Sequence, residues 1–134
     1  MIKVIAFDLV GVLVRGNEIT EPELFKTIKE NYPEIKIVVA TNNASCIRDF
    51  IGKSFGYQYV DDFFISREMN KIKPDPDYFE HILNKFNIKS EEMLFLDDSL
   101  VNITSAKDIG INVIKVEKDT KLIETVINWL EANK

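Results

Sequence analysis

Apolar runs and helical apolar stripes alternate along the whole chain. Lys3-Val4-Ile5-Ala6-Phe7-Asp8 predicts a strand over about residues 2–8. Apolar alternation from Val12 to Ile19, interrupted at Gly16-Asn17, predicts a small hairpin. Thr20-Glu21-Pro22-Glu23 has the form of a capping box with Pro in the first turn. The helix it opens should stop near Asn31, because Tyr32 precedes Pro33. Ile35 to Ala40 reads as a second core strand, ending at Thr41-Asn42-Asn43. Ile47, Phe50, Ile51 and Phe55 recur at helical spacing, with Gly56 as the stop. Phe63-Phe64-Ile65 is a short strand, and residues 71–76 are extended or turned. Tyr78, Phe79, Ile82, Leu83 and Phe86 form one helical face. A strand over 93–97, a helix from Leu100 to Ile109 closed by Gly110, and a strand from Ile111 to Val116 follow. Leu122, Ile123, Val126, Ile127 and Leu130 line a last helix. Such alternation predicts a parallel sheet flanked by helices.

Two of these strands end in acid. The first stops on Asp8 and the fourth, Met93-Leu94-Phe95-Leu96, on Asp97-Asp98. Carboxylates are poor strand formers and costly to bury. Two core strands that finish in Asp therefore point to one crevice at the carboxyl ends of the strands, where open α/β sheets bind ligands. Three acids gathered there repel one another unless a cation joins them, and such an oxygen site suits Mg²⁺.

Composition narrows the function classes. The 134 residues fit one domain, 1–134, long enough to bury a core. Net charge is −5 with no Lys/Arg block, so general nucleic-acid binding is not expected. The single cysteine, Cys46, permits no internal disulfide, which points to a reducing, cytoplasmic compartment. There is no long apolar run, so no membrane span is expected, and no signal peptide.

Four marks stand in order: Asp8, Thr41, Lys73 before a proline, and Asp97-Asp98. With Lys73-Pro74-Asp75-Pro76-Asp77-Tyr78-Phe79 and Phe95-Leu96-Asp97-Asp98-Ser99-Leu100-Val101-Asn102-Ile103, the chain resembles the haloacid dehalogenase (HAD) superfamily, especially its sugar-phosphate phosphatase branch. The resemblance covers nearly the whole chain. It implies a three-layer α/β sandwich of Rossmann-like type with about five parallel strands, ordered fifth, fourth, first, second, third. It also implies Asp8 as nucleophile, and Asp8, Asp98 and the carbonyl of Val10 as Mg²⁺ ligands, with Asp97 acting directly or through water. Thr41 and the amide of Asn42 match phosphate-oxygen binders. Lys73 matches the cation that balances the nucleophile and the transferring phosphate. Ser99 and Asn102 would brace the acidic loop. The expected partner is a phosphorylated substrate, small or macromolecular, and a homo-oligomer would fit an open site.

One position departs from that pattern. The family's Asp-x-Asp reads Asp8-Leu9-Val10 here, so the acid/base carboxylate is valine. Losing such a group costs about 10²–10⁴-fold in rate. Three readings follow: a slow Mg²⁺-dependent phosphatase, a catalytically silent phosphate- or metal-binding module, and a metal-free dehalogenase-type hydrolase. Keeping Asp97-Asp98 argues against the third. The 33 positions from Asp8 to Thr41, and the 32 from Thr41 to Lys73, leave no room for an inserted cap domain.

Blander readings stand beside these. Thr41-Asn42 or Asp98-Ser99 can serve as helix caps, and Lys73 alone reads as a solvated surface lysine. His81 reads as a surface residue, Cys46 as a small apolar residue near the core, Trp129 as rim packing and Asp61-Asp62 as a turn.

Overall fold

The computed structural model describes residues 1–42 and 47–134; Asn43 and Cys46, and with it the reading of Cys46, lie outside them. The elements, in chain order, are β1 (Val4–Phe7), β2 (Val14–Arg15), β3 (Glu18–Ile19), α1 (Leu24–Asn31), β4 (Lys36–Thr41), α2 (Ile47–Phe55) and β5 (Asp62–Ile65). Then come α3 (Ser66–Met69), α4 (Pro76–Phe86), β6 (Met93–Asp97), α5 (Leu100–Asp108), β7 (Asn112–Lys115) and α6 (Leu122–Ala132). The central sheet is five-stranded, ordered β5-β4-β1-β6-β7. Every pairing in it is parallel. This is the order the resemblance implied. β2 and β3 pair separately as the antiparallel hairpin read from Gly16-Asn17.

The strands are apolar on both faces because helices cover both. Ile5 and Phe7, Ile37 and Val39, and Leu94 and Leu96 bury against Leu24, Phe25, Ile28, Ile51, Leu122, Val126 and Leu130 from α1, α2 and α6. The alternate residues, Val4 and Ala6, Val38 and Ala40, and Met93 and Phe95, bury against Tyr78, Phe79, Ile82, Ile103 and Ala106 from α4 and α5. Period-two alternation thus feeds two separate cores, which makes three layers. Trp129 packs at the rim of the first core, as read. Between β1 and β4 the chain inserts only the hairpin and α1.

Local patterns failed in three places. Thr20-Glu21 does not cap α1, whose cap position is Glu23 with no side-chain bond. Glu21 instead accepts from the amides of Leu122 (2.5 Å) and Ile123 (2.9 Å) at the start of α6. A carboxylate there satisfies two orphan donors and meets the positive end of the helix dipole. Asp61 is not merely a turn residue: its Oδ2 accepts from the Ile37 amide at 2.8 Å and pairs with Lys29 at 2.7 Å. His81 is half-buried, in an edge-to-face pair with Phe64 whose ring centroids lie 6.0 Å apart, rather than a free surface group.

Candidate active site

The strand register builds the site. Phe7 of β1 lies level with Leu96 of β6 and Val39 of β4. The next residues, Asp8 and Asp97, therefore emerge side by side from the middle of the sheet. The Asp8 amide donates to the Leu96 carbonyl at 3.0 Å, which extends the ladder to the acid itself. β1 is also the strand at which the connections switch direction, the position where α/β sheets open a crevice. A cleft of about 270 Å³ there is lined by Asp8, Val10, Thr41, Asn42, Lys73, Asp97, Asp98, Ser99 and Asn102. Every residue singled out from the sequence as a site candidate lies on this one cleft.

Lys73 is the floor of the cleft. Its side chain is 1% exposed, so it is not a solvated surface lysine. Its Nζ donates to Asp8 Oδ1 (2.7 Å), Asp97 Oδ2 (3.0 Å) and the Ala40 carbonyl (2.8 Å). An ammonium has three protons, and protein acceptors take all three. A phosphate contact from Lys73, as the resemblance implied, would require one of those bonds to yield. The arrangement suits Lys73 to balancing Asp8 more directly than to gripping a ligand.

Asn42 holds Lys73 in place. Its Oδ1 accepts from the Lys73 amide (3.0 Å) and its Nδ2 donates to the Lys73 carbonyl (3.1 Å). Ser105 of α5 donates to the carbonyl of Pro74, the next residue. The sequence suggested only the backbone of Asn42; its side-chain clamp spans 31 positions and leaves no local signal. Thr41 is buried at the end of β4.

The acids differ by surroundings. Burial pushes the Asp8 carboxyl up to about 6; Lys73 pulls against this and Asp97 adds to it. Burial also works against the charge of Asp97, which is fully enclosed. Lys73, the Ser99 amide and Asn102 outweigh it and hold Asp97 below the ordinary carboxylate value. The Ser99 amide donates to Asp97 Oδ1 (2.9 Å) and Asn102 Nδ2 to Asp97 Oδ2 (3.0 Å). Ser99 also caps α5, accepting from the Asn102 amide, so the capping and bracing readings hold together. Asp98 is raised by burial, by its hydrogen bond with Asp97 and by the charge of Asp97.

One oxygen from each of Asp8, Asp97 and Asp98 lies within 4.8 Å of the other two. Three hard donors with one ammonium among them carry surplus negative charge, and that donor set fits a divalent cation of the Mg²⁺ type.

Gly11 was missed by sequence reasoning. Its φ of +90° lies in the left-handed region, and an added Cβ would fall 2.2 Å from Asp98 Oδ2. A glycine three residues beyond a strand-end acid, inside an apolar run, was the available signal. Val10 is 59% exposed at the mouth of the cleft.

A family model described as haloacid dehalogenase-like hydrolase matches residues 20–110. The drimenol cyclase of Aspergillus calidoustus is 28% identical over 106 residues, covering 77% of this chain and 20% of that protein. The chain spans a fifth or less of the first curated relatives it matches. A HAD-like family hydrolase from Porphyromonas gingivalis superposes with a TM-score of 0.77 at 18% identity, covering 97% of this chain and 98% of that one. A HAD family enzyme from Bacteroides thetaiotaomicron, solved with magnesium and inorganic phosphate, superposes with a TM-score of 0.72 at 17% identity, covering 93% and 99%. Among the described residues no helix is long and apolar enough to cross a membrane.

Proposed function

This chain belongs to the haloacid dehalogenase-like hydrolases, and from that premise we propose that it hydrolyses phosphate monoesters in a Mg²⁺-dependent reaction through Asp8. The observation that carries the reading is the charge imbalance: Asp8, Asp97 and Asp98 bring carboxylate oxygens within 4.8 Å of one another, and among the described residues the ammonium of Lys73 pairs with Asp8 and Asp97 and leaves Asp98 without a salt bridge. A metal-free reaction would leave that repulsion without purpose. The magnesium and phosphate bound by the Bacteroides enzyme lend the same direction by analogy.

Asp8, Asp98 and the carbonyl of Val10 would hold the ion, with Asp97 directly or through water. When bound, Mg²⁺ supplies positive charge against the carboxylates and the incoming phosphate. An Asp8 carboxylate oxygen attacks phosphorus, and the ester P–O bond breaks with its electron pair on the departing alcohol oxygen. That oxygen takes its proton from water, because Val10 has none to give. A second water then attacks the aspartyl-phosphate, releases inorganic phosphate and restores the carboxylate. Lys73 pulls Asp8 toward its ionised form against the effect of burial and fixes its direction, and Thr41 with the Asn42 amide would bind phosphate oxygens.

The test is a panel of phosphate monoesters with and without millimolar Mg²⁺. We expect metal-dependent release of phosphate by the natural chain and none by Asp8→Asn. Val10→Asp should gain up to about 10²–10⁴-fold on alkyl phosphates and much less on aryl phosphates, whose leaving groups need little protonation. Equal and metal-independent activity in the natural chain and Asp8→Asn sinks the mechanism. Inertness of both, with Mg²⁺ still raising the melting temperature, favours the silent metal-binding module.

A further inference from the structure

A second cavity, of about 510 Å³, adjoins the cleft. Asp98 lines both it and the acidic site; Gly11, Arg15, Lys115, Glu117 and Lys118 are among its other walls. The chain carries a net charge of −5, yet this cavity gathers three cations against Asp98 and Glu117. The pairing within it is incomplete. Lys115 reaches the Glu117 carboxylate at 3.0 and 3.2 Å. Lys118 has no ion-pair partner among the described residues. Arg15 meets only neutral backbone acceptors: its Nε donates to the Val12 carbonyl (3.3 Å), and its Nη1 to the Lys118 (3.2 Å) and Thr120 (2.5 Å) carbonyls. Its Nη2 is buried without a hydrogen-bond partner among the described residues. A guanidinium so placed has no carboxylate bonded to it among the described residues and also fixes the hairpin against residues 118–120. The positive potential is therefore built on a rigid element, with Lys118 free to move to a ligand.

The cavity meets the cleft at Asp98, which lines both, so an ester group that extends from a phosphate in the cleft past Asp98 enters it. We infer that it is a leaving-group subsite, selecting phosphate esters whose alcohol carries a second anionic group, a carboxylate or another phosphate. The inference rests on the phosphatase reading and deepens it. With a cation on Asp98, the carboxylate facing the cavity no longer offsets Arg15, Lys115 and Lys118. Selection by surface charge of this kind weakens as salt rises.

Matched substrates test it. 3-Phosphoglycerate and glycerol 3-phosphate differ by a carboxylate in place of a hydroxymethyl group; fructose 1,6-bisphosphate and fructose 6-phosphate differ by a second phosphate. We expect a higher kcat/KM for the doubly anionic member of at least one pair, and which pair responds identifies the anion. Lys118→Glu should reduce that preference at least tenfold, mainly through KM, while Glu117→Gln, which releases Lys115, should increase it. An undiminished preference in Lys118→Glu, or no preference in the natural chain, overturns the subsite. If no ester is turned over, thermal shifts with the same four compounds decide separately. A larger shift for the doubly anionic compounds, lost in Lys118→Glu, keeps the subsite while the phosphatase reading falls; equal shifts overturn the subsite.

Discussion

The two ends of the central sheet handle charge in opposite ways. At the amino-terminal end acids pair one to one with cations: Lys3 with Glu92 at 2.9 Å and Lys29 with Asp61 at 2.7 Å. These pairs are partly solvated, and both sit beside backbone ties between neighbouring strands, Lys3 N to Glu92 O and Asp61 N to Ile37 O. At the carboxyl-terminal end three acids cluster, and one buried lysine pairs with two of them. One-to-one pairs close an edge; the three-to-one cluster stores unbalanced charge in a cleft. Stability explains the first arrangement. The second lowers stability in the metal-free protein, and it makes sense as a site for something else that is positively charged.

The largest way to test that contrast is Lys73→Met. It strands Asp97, fully enclosed, and Asp8, largely so, without a cation. Removing one partner of a buried ionic network costs about 3–5 kcal/mol. Denaturant unfolding in EDTA at pH 7.5 should show a loss in that range. Lys73→Met combined with Asp8→Asn should lose less, because only one carboxylate is then stranded. A loss under about 1 kcal/mol in the single variant would mean that the cluster is not dominated by its charge.

Asp8→Asn should act in the other direction. The folded-state value of the Asp8 carboxyl is about 6, above its ordinary 3.8. Folding therefore disfavours the ionised form. Below about pH 4 the group is protonated in both states and imposes no penalty. The penalty grows between about pH 4 and pH 6 and is complete above that. In metal-free buffer Asp8→Asn should then be about 2–3 kcal/mol more stable than the natural chain at pH 7.5, the advantage fading by pH 4. Melting curves across that window check the sign. A variant less stable at pH 7.5 than at pH 4, relative to the natural chain, would show that Lys73 more than offsets the burial of Asp8.

How far this contrast could be read from the sequence depended on where each partner lay. Asp8 and Asp97-Asp98 were legible because acids at the ends of apolar strands break the local pattern, and the parallel register of β1 and β6 does the rest. Lys73 was legible only through its neighbours Pro74 and Asp75 and the family they resemble; nothing in the sequence showed that all three of its protons are taken. Glu21 was assigned to the helix that follows it, but it caps a helix 101 positions away. Asp61 was read as a turn, yet it bridges Ile37 and Lys29. Gly11 broke its apolar run, but nothing near it in sequence showed that its missing Cβ makes room for Asp98. Periodicity reports which face is buried. It does not report which distant backbone group a polar side chain will find, and these misreadings are of that kind.

The smallest effect belongs to the amino-terminal end. Lys29 donates to the Ile35 carbonyl at 2.8 Å and to Asp61 at 2.7 Å, with its side chain 16% exposed and that of Asp61 25%. Lys29→Met removes both bonds but leaves Asp61 its other partner, the Ile37 amide at 2.8 Å, and some contact with water. The stranded acid is therefore neither uncompensated nor dry. A charge-assisted bond of this exposure contributes about 1 kcal/mol, and methionine keeps much of the apolar packing of the lysine stem. The loss should be about 1 kcal/mol, should shrink in high salt, and should be the same with and without Mg²⁺. That last equality is the sharp part. If Mg²⁺ changed the cost of Lys29→Met while leaving that of Lys73→Met untouched, the division of the sheet into a structural end and a metal-ready end would be wrong. Unfolding titrations of both variants, each with EDTA and with Mg²⁺, measure the comparison directly.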